Sequence, residues 1–382
     1  MVRQNPKSEN YDVVIIGSGI GALAAASLLS KKMKVAVLEK ERSFGGYCGD
    51  FTRDGFRFEI AVQSVNGLYA RGPIRRILED AGALEGVKVI KPANLYRSIF
   101  PEHDIVVPQG NLDKYLTMLF EMFPMEKDRI ADFAALMLSI YKEMKRFYEK
   151  RKSAKSPFLV KYHRSSIKSI LDEYFMDDAL KAIISQYWLY RGLPPSKLSA
   201  ITFAYIWCDY MAGGSFYPCG GMSKLVGNMT ESIIRHGGAV IGESEVTDIV
   251  TRHNHVTEVI TSEGSAFRAK FFISNIDVLS TFGMIRPGHN SAVGPFVESL
   301  IKNALSVSAC KIYLGLDDPR GEFSNKEYET FVNPSYDPEA MYQASVSNDF
   351  AKAPFSITAY SAVDDTCCGK GRSVISLCCL SD

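Results

Sequence analysis

Charge of one sign is scarce in this chain of 382 residues: 44 Lys and Arg stand against 43 Asp and Glu, a net charge of +1. A general nucleic-acid binder would carry a basic excess, so that class is excluded. No apolar run approaches the roughly 18 residues that a membrane-spanning helix needs. The leader MVRQNPKSEN is polar and lacks the apolar centre of a secretory signal, so export is not expected and the cytoplasm is the expected place. None of the eight cysteines forms a C-x-x-C pair, which leaves free, mostly buried thiols as the expectation. Adjacent cysteines in a strand point to opposite faces, so Cys367-Cys368 and Cys378-Cys379 each offer one ligand to a given site, and no metal is expected. The six histidines show no H-E-x-x-H spacing, and no G-x-S-x-G elbow is present, so metal catalysis and hydrolysis lack support. Internal repeats and low-complexity segments are absent too.

What is present is a globular composition, 46% hydrophobic and 23% charged, which excludes disorder. The length fits two to three domains, or one large α/β body with an insertion. The most informative stretch lies near the N-terminus. Residues 11–17, YDVVIIG, read as a strand buried on both faces of a parallel sheet. G-S-G-I-G-A follows, then a helix of small and apolar residues to Ser30, then a second strand ending at Glu39. Glu39 stands 22 residues after Gly17, close to the roughly 20 expected of an acid that binds a ribose.

Each part has a physical task. Gly17 permits the tight turn, Gly19 has no Cβ to hold off a pyrophosphate, and Ala22 is small enough for close packing of helix on strand. The helix N-terminus offers free N–H groups and partial positive charge to phosphates. Glu39 is expected to accept from both ribose hydroxyls, and an acid here disfavours the 2′-phosphate of NADP.

Gly45-Gly46, six residues beyond Glu39, would let a loop fold over the pyrophosphate and ribityl region of a flavin. This second motif resembles that of glutathione-reductase-like flavoproteins, although Tyr47 stands where many relatives carry Arg. Further along come G-L-P-P-S (192–196), F-Y-P-C-G-G-M-S-K-L (216–225), Gly237-Gly238 and the strand-like 243–250 and 259–277. With F-P-M-E-K-D-R-I (123–130), this order is similar to the phytoene desaturase, carotenoid isomerase and retinol saturase family of FAD-dependent oxidoreductases.

The resemblance implies an α/β fold: a Rossmann-like FAD-binding domain with an inserted domain of mixed β-sheet and helices for the substrate. The implied division is 1–80 and 213–280 for the FAD domain, and 81–212 and 281–382 for the substrate domain. FAD contacts are implied from Gly17, Gly19, Gly21, Ala22, Glu39 and Lys40, and from Gly45 and Gly46. Gln63 and Ser64 are implied beside the isoalloxazine ring, and Val246 beside the adenine. The family's C-terminal Gly-rich flavin segment has no counterpart in 300–382, so the chain is expected to end before it. The implied activity is flavin hydride transfer on an apolar polyene or isoprenoid lipid: desaturation, saturation or isomerisation. The alternatives are an amine- or porphyrinogen-oxidase-type flavoenzyme and a non-catalytic relative that binds lipid or protein. No catalytic acid or base, and no oligomeric state, can be assigned.

Two features keep two readings each. Lys142, Lys145, Arg146, Lys150, Arg151 and Lys152, with Phe147 and Tyr148 between them, suit an anionic membrane surface or a solvated helix end. The aromatics of 158–212, among them Tyr187, Trp188, Phe203 and Trp207, suit a pocket or a core.

Overall fold

The computed structural model describes residues 10–150, 156–253, 255–285, 293–302, 306–323 and 326–382. The chain divides into two compact units, one from 1–63, 70–89 and 218–305, the other from 64–69, 90–217 and 306–382.

The first unit is organised by a six-stranded sheet in the order Ala239–Ile241, Val35–Leu38, Asn10–Ile16, Ala266–Ser274, His255–Thr261, Val246–Arg252. The first four run parallel and the last three form an antiparallel meander. Val13, Val14, Ile15 and Ile16 are all buried, as a central parallel strand covered on both faces requires. The helix Ile20–Ser30 returns the chain to Val35–Leu38 and completes a β-α-β unit. It buries Ala22, Leu23, Ala26 and Ser27, and their small size lets it pack closely. Ser27 Oγ donates to the Ala81 carbonyl at 2.6 Å and meets Ser232 Oγ at 2.9 Å, tying the helix to Met222–Arg235.

The second unit has its own six-stranded sheet, in the order Ser308–Asp317, Arg372–Ser381, Phe355–Ala359, Glu329–Val332, Asn94–Ile99, Asp104–Pro108. Only the Glu329–Val332 and Asn94–Ile99 pair is parallel. The helices include Leu112–Met122, Lys127–Lys150, Ile167–Tyr174 and Ala200–Cys208. Tyr187, Trp188, Phe203 and Trp207 are buried in a core cluster with Phe133, Ile140 and Leu180, so for these four the core alternative holds.

The boundaries differ from the expected ones in four places, at 64–69, 81–89, 213–217 and 281–305. Residues 81–89 stay with the first unit because Asn228 Nδ2 donates to the carbonyls of Ala83 and Glu85, each at 2.8 Å. Residues beyond 280 stay there as well: the Ile249 N–H donates to Met284 O at 2.8 Å, continuing the edge of the sheet. Residues 64–69 belong to the second unit, where Val65 and Asn66 pair with Phe216 and Ser215. Among the described residues no helix is long and apolar enough to cross a membrane.

Candidate dinucleotide site

A parallel sheet offers its ligand crevice at the carboxyl ends of its strands, where the chain order reverses. In the first unit that point lies after Asn10–Ile16, whose neighbours on its two sides are Val35–Leu38 and Ala266–Ser274. Gly17 through Gly21, Glu39 and Asn275 all follow directly on these three strands. The sheet thus converges residues that are up to 258 positions apart in sequence.

The glycine turn is held from below. Gly17 N–H donates to Leu38 O at 2.8 Å, and the Gly45 N–H donates to Ser18 O at 3.1 Å. Gly19 and Gly45 form a β-bridge, which brings the second glycine motif onto the first. Gly45 has φ +103°, and a Cβ there would lie 2.6 Å from Val226 Cγ2. A larger residue would strain the backbone and collide with the helix behind it. At Gly19 a Cβ would lie 2.8 Å from Asn275 Oδ1. The helix Ile20–Ser30 has no side-chain cap at its N-terminus, while Gly21, Gly46 and Tyr47 are exposed around it. Open N–H groups, positive helix dipole and a floor without side chains are what a pyrophosphate requires, so these residues fit a flavin dinucleotide.

Glu39 is buried and already engaged. Its Oε2 accepts from the Ser18 N–H at 2.8 Å and from Ser18 Oγ at 2.6 Å, and its Oε1 accepts from the Glu41 N–H at 3.0 Å. A carboxylate has about four acceptor positions. About one therefore remains for a ligand, not the two that paired ribose hydroxyls would use. Lys40 is exposed, with only a surface contact to Glu41 at 3.8 Å.

Val246 opens the strand Val246–Arg252. The Ser244 N–H donates to Glu39 O at 2.8 Å and the Glu243 N–H to Glu41 O at 3.1 Å, so this segment runs beside Glu39. The Val246 side chain, 4% exposed, is packed with Ile16, Leu38 and Ile241 in the sheet core. Only its backbone is left to face a ligand. Gln63 closes the first unit and Ser64 opens the second. Ala22 is buried, as packing of helix on strand requires.

Asn275 was not singled out from sequence. It is exposed at the end of Ala266–Ser274, and its N–H donates to Ile16 O at 2.9 Å. A polar residue ending the last apolar strand of the unit was the available signal. Cys48, near the paired glycines, is buried, and burial together with nearby Glu59 pushes its thiol up to about 11. It is a neutral thiol at physiological pH. The expectation of mostly buried thiols holds for Cys48, Cys208 and Cys367, while Cys310 is exposed and the other four are half-buried. The edge position of Ser308–Asp317 explains the exposed one.

Residues 21–356 match the family described as flavin containing amine oxidoreductase. Prolycopene isomerase 1, chloroplastic, of an Oncidium hybrid cultivar is 27% identical over 295 residues, covering 73% of this chain and 50% of that protein. All-trans-retinol 13,14-reductase of Danio rerio is 26% identical over 351 residues, covering 85% and 57%. The chain spans about half the length of the curated relatives it matches. Among solved structures, an oxidoreductase from Methanosarcina mazei superposes with a TM-score of 0.70 at 16% identity, over 96% of this chain and 78% of that one. Putrescine oxidase bound to putrescine gives 0.64 at 15%, over 98% and 76%. These two likenesses show the α/β fold. With the family matched over most of its length and the glycine turn, second glycine motif and acid assembled at one sheet edge, the chain belongs to the flavin containing amine oxidoreductase family, and its cofactor is FAD.

Proposed function

We propose that this chain is an FAD-dependent oxidoreductase of the phytoene desaturase type, acting on a C–C or C=C bond of an apolar polyene or isoprenoid lipid. The observation that carries the proposal is the open crevice of Gly19, Gly21 and Gly46 above the end of the central strand. The substrate class rests on relatives whose names contain prolycopene and all-trans-retinol.

Bound FAD supplies two-electron redox chemistry. The chain's own residues bind and orient it. Gly17, Gly19 and Gly21 hold the pyrophosphate against the helix N-terminus, with Ala22 keeping that helix close to the sheet. Glu39 takes one ribose hydroxyl in its remaining acceptor position, and Lys40 lies at the exposed rim. Gly45 and Gly46 fold over the diphosphate and ribityl region. Val246 would offer its backbone to the adenine, and Gln63, at the end of the first unit, would lie beside the ring.

Access to a lipid substrate is served by a surface of the second unit. On the helix Lys127–Lys150, Phe147 is 60% exposed and Tyr148 67% exposed, with Lys142 and Arg146 beside them. Exposed aromatics among cations suit peripheral contact with an anionic bilayer. Arg151 and Lys152, which the same expectation included, lie outside the described residues.

The test is the absorption spectrum of purified chain after incubation with excess FAD and desalting. Flavin bands at about one flavin per chain are expected, followed by conversion of a polyene supplied in liposomes. A folded but colourless protein overturns the proposal, and turnover of a soluble amine with peroxide release would replace the substrate class.

A further inference from the structure

The three cysteines Cys310, Cys378 and Cys379 play no part in the dinucleotide site, yet they meet on one sheet of the second unit. Cys310 lies on Ser308–Asp317, the edge strand, and Cys379 lies on its neighbour Arg372–Ser381. In the antiparallel register the two are directly opposite. Opposed residues in such a pair hold their Cα atoms about 4.5 or 5.5 Å apart, and a disulfide spans about 4.4–6.8 Å. Cys379 Sγ lies 3.8 Å from the Cys310 carbonyl oxygen. Cys378 is one register step away, opposite Lys311, and is not the geometric partner.

Solvent exposure separates Cys310 from the other thiols. Cys310 is exposed and Cys379 half-buried, whereas Cys48, Cys208 and Cys367 are sealed in the interior. The pair borders an apolar groove with Ile312, Phe350, Phe355 and Leu377. A small uncharged oxidant such as hydrogen peroxide can reach the sulfur of Cys310 from solvent.

We propose that Cys310 and Cys379 form a redox modification site, closing to a cross-strand disulfide when hydrogen peroxide is the oxidant. Peroxide oxidises the Cys310 thiol first: its O–O bond breaks, an S–O bond forms, and one water leaves. The Cys379 thiol then attacks the sulfenic sulfur, so that the S–S bond forms, the S–O bond breaks and a second water leaves. Two thiols lose two electrons and two protons, and one peroxide is reduced to two waters. The product fastens the edge strand Ser308–Asp317 covalently to the sheet, and a dithiol reverses it.

Peroxide titration of the whole purified chain, read by intact mass and non-reducing peptide mapping, tests the proposal. A loss of about 2 Da is expected, with one cross-linked peptide pair containing Cys310 and Cys379, undone by dithiothreitol. Cys310→Ser and Cys379→Ser should each abolish the mass loss. Should either variant misfold, prior alkylation of Cys310 in the unaltered chain should block it equally. A gain of oxygen without a bridge, a bridge to Cys368 or Cys378, or a bridge between chains overturns the assignment.

Discussion

Two glycine turns in the first unit each open a helix, and they have opposite fates. Gly19 precedes Ile20–Ser30 and Gly221 precedes Met222–Arg235, and neither N-terminus has a side-chain cap on its own first residue. At the second turn the chain fills the space itself. The Arg57 guanidinium donates to the Gly220 carbonyl and lies where a Cβ of Gly221 would be. Glu59 Oε1 accepts from the Met222 N–H at 3.1 Å, and Ser223 Oγ donates to Asp50 at 2.5 Å. Asp50 and Glu59 in turn flank Arg57 at 3.6 and 3.7 Å. At the first turn, among the described residues, a Cβ at Gly19 or Gly21 would meet only the Asn275 side chain, and Gly21 and Gly46 are exposed. A glycine at a helix start is therefore no sign of a ligand by itself. What distinguishes the sites is whether the protein's own charges already occupy the N-terminus.

The comparison can be broken most forcefully at the closed turn. Arg57→Ala leaves the partly buried Asp50 and Glu59 carboxylates without their shared cation, and should destabilise the protein by about 3 kcal/mol, read from denaturant midpoints. A loss below about 1 kcal/mol would mean that the closed turn does not depend on Arg57. At the open turn the effect should fall on the ligand. Gly19→Ala meets only the end of the Asn275 side chain, so circular dichroism should be unchanged while FAD affinity falls at least about tenfold, or 1.4 kcal/mol. Parallel loss of fold would erase the distinction between the turns.

A smaller effect is expected from Cys48, behind the second glycine motif. Its thiol is raised from 9.0 to about 11, so the folded chain keeps a proton that the unfolded chain releases in that interval. Its contribution to stability is intact below pH 9 and is lost as pH rises towards 11. Cys48→Ala should flatten that part of the stability profile, and Cys48 in the native protein should resist alkylation at pH 8. The smallest effect concerns the surface. Phe147→Ser with Tyr148→Ser should change stability by less than about 0.5 kcal/mol per residue, yet reduce sedimentation with anionic liposomes several-fold; unchanged sedimentation would leave those aromatics without a membrane role.

Much of the dinucleotide site was legible because its parts are close in sequence and each has a backbone reason. Apolar strand, glycine turn, small-residue helix and acid occupy residues 11–39, and the first sheet reproduces that order. Glu39 was placed correctly at the strand end, but its bonds to Ser18 and Glu41 could not be inferred from spacing. Nor could the burial of the Val246 side chain, since one residue of strand phase decides whether a side chain faces core or crevice. In 158–212 apolar and aromatic residues dominate throughout, so periodicity alone could not separate core from pocket lining.

The sequence by itself determined the β-α-β unit, its glycines and its acid, because hydrophobic period, glycine geometry and short connections act locally. Tertiary structure alone decided what stands around them. Asn275 reaches Gly19 only through the pairing of Ala266–Ser274 with Asn10–Ile16. Arg57 closes the turn at Gly220 from 163 residues away, and Cys310 meets Cys379 only in the register of two strands. Such contacts depend on long-range packing and sheet pairing, which no local stretch of sequence encodes.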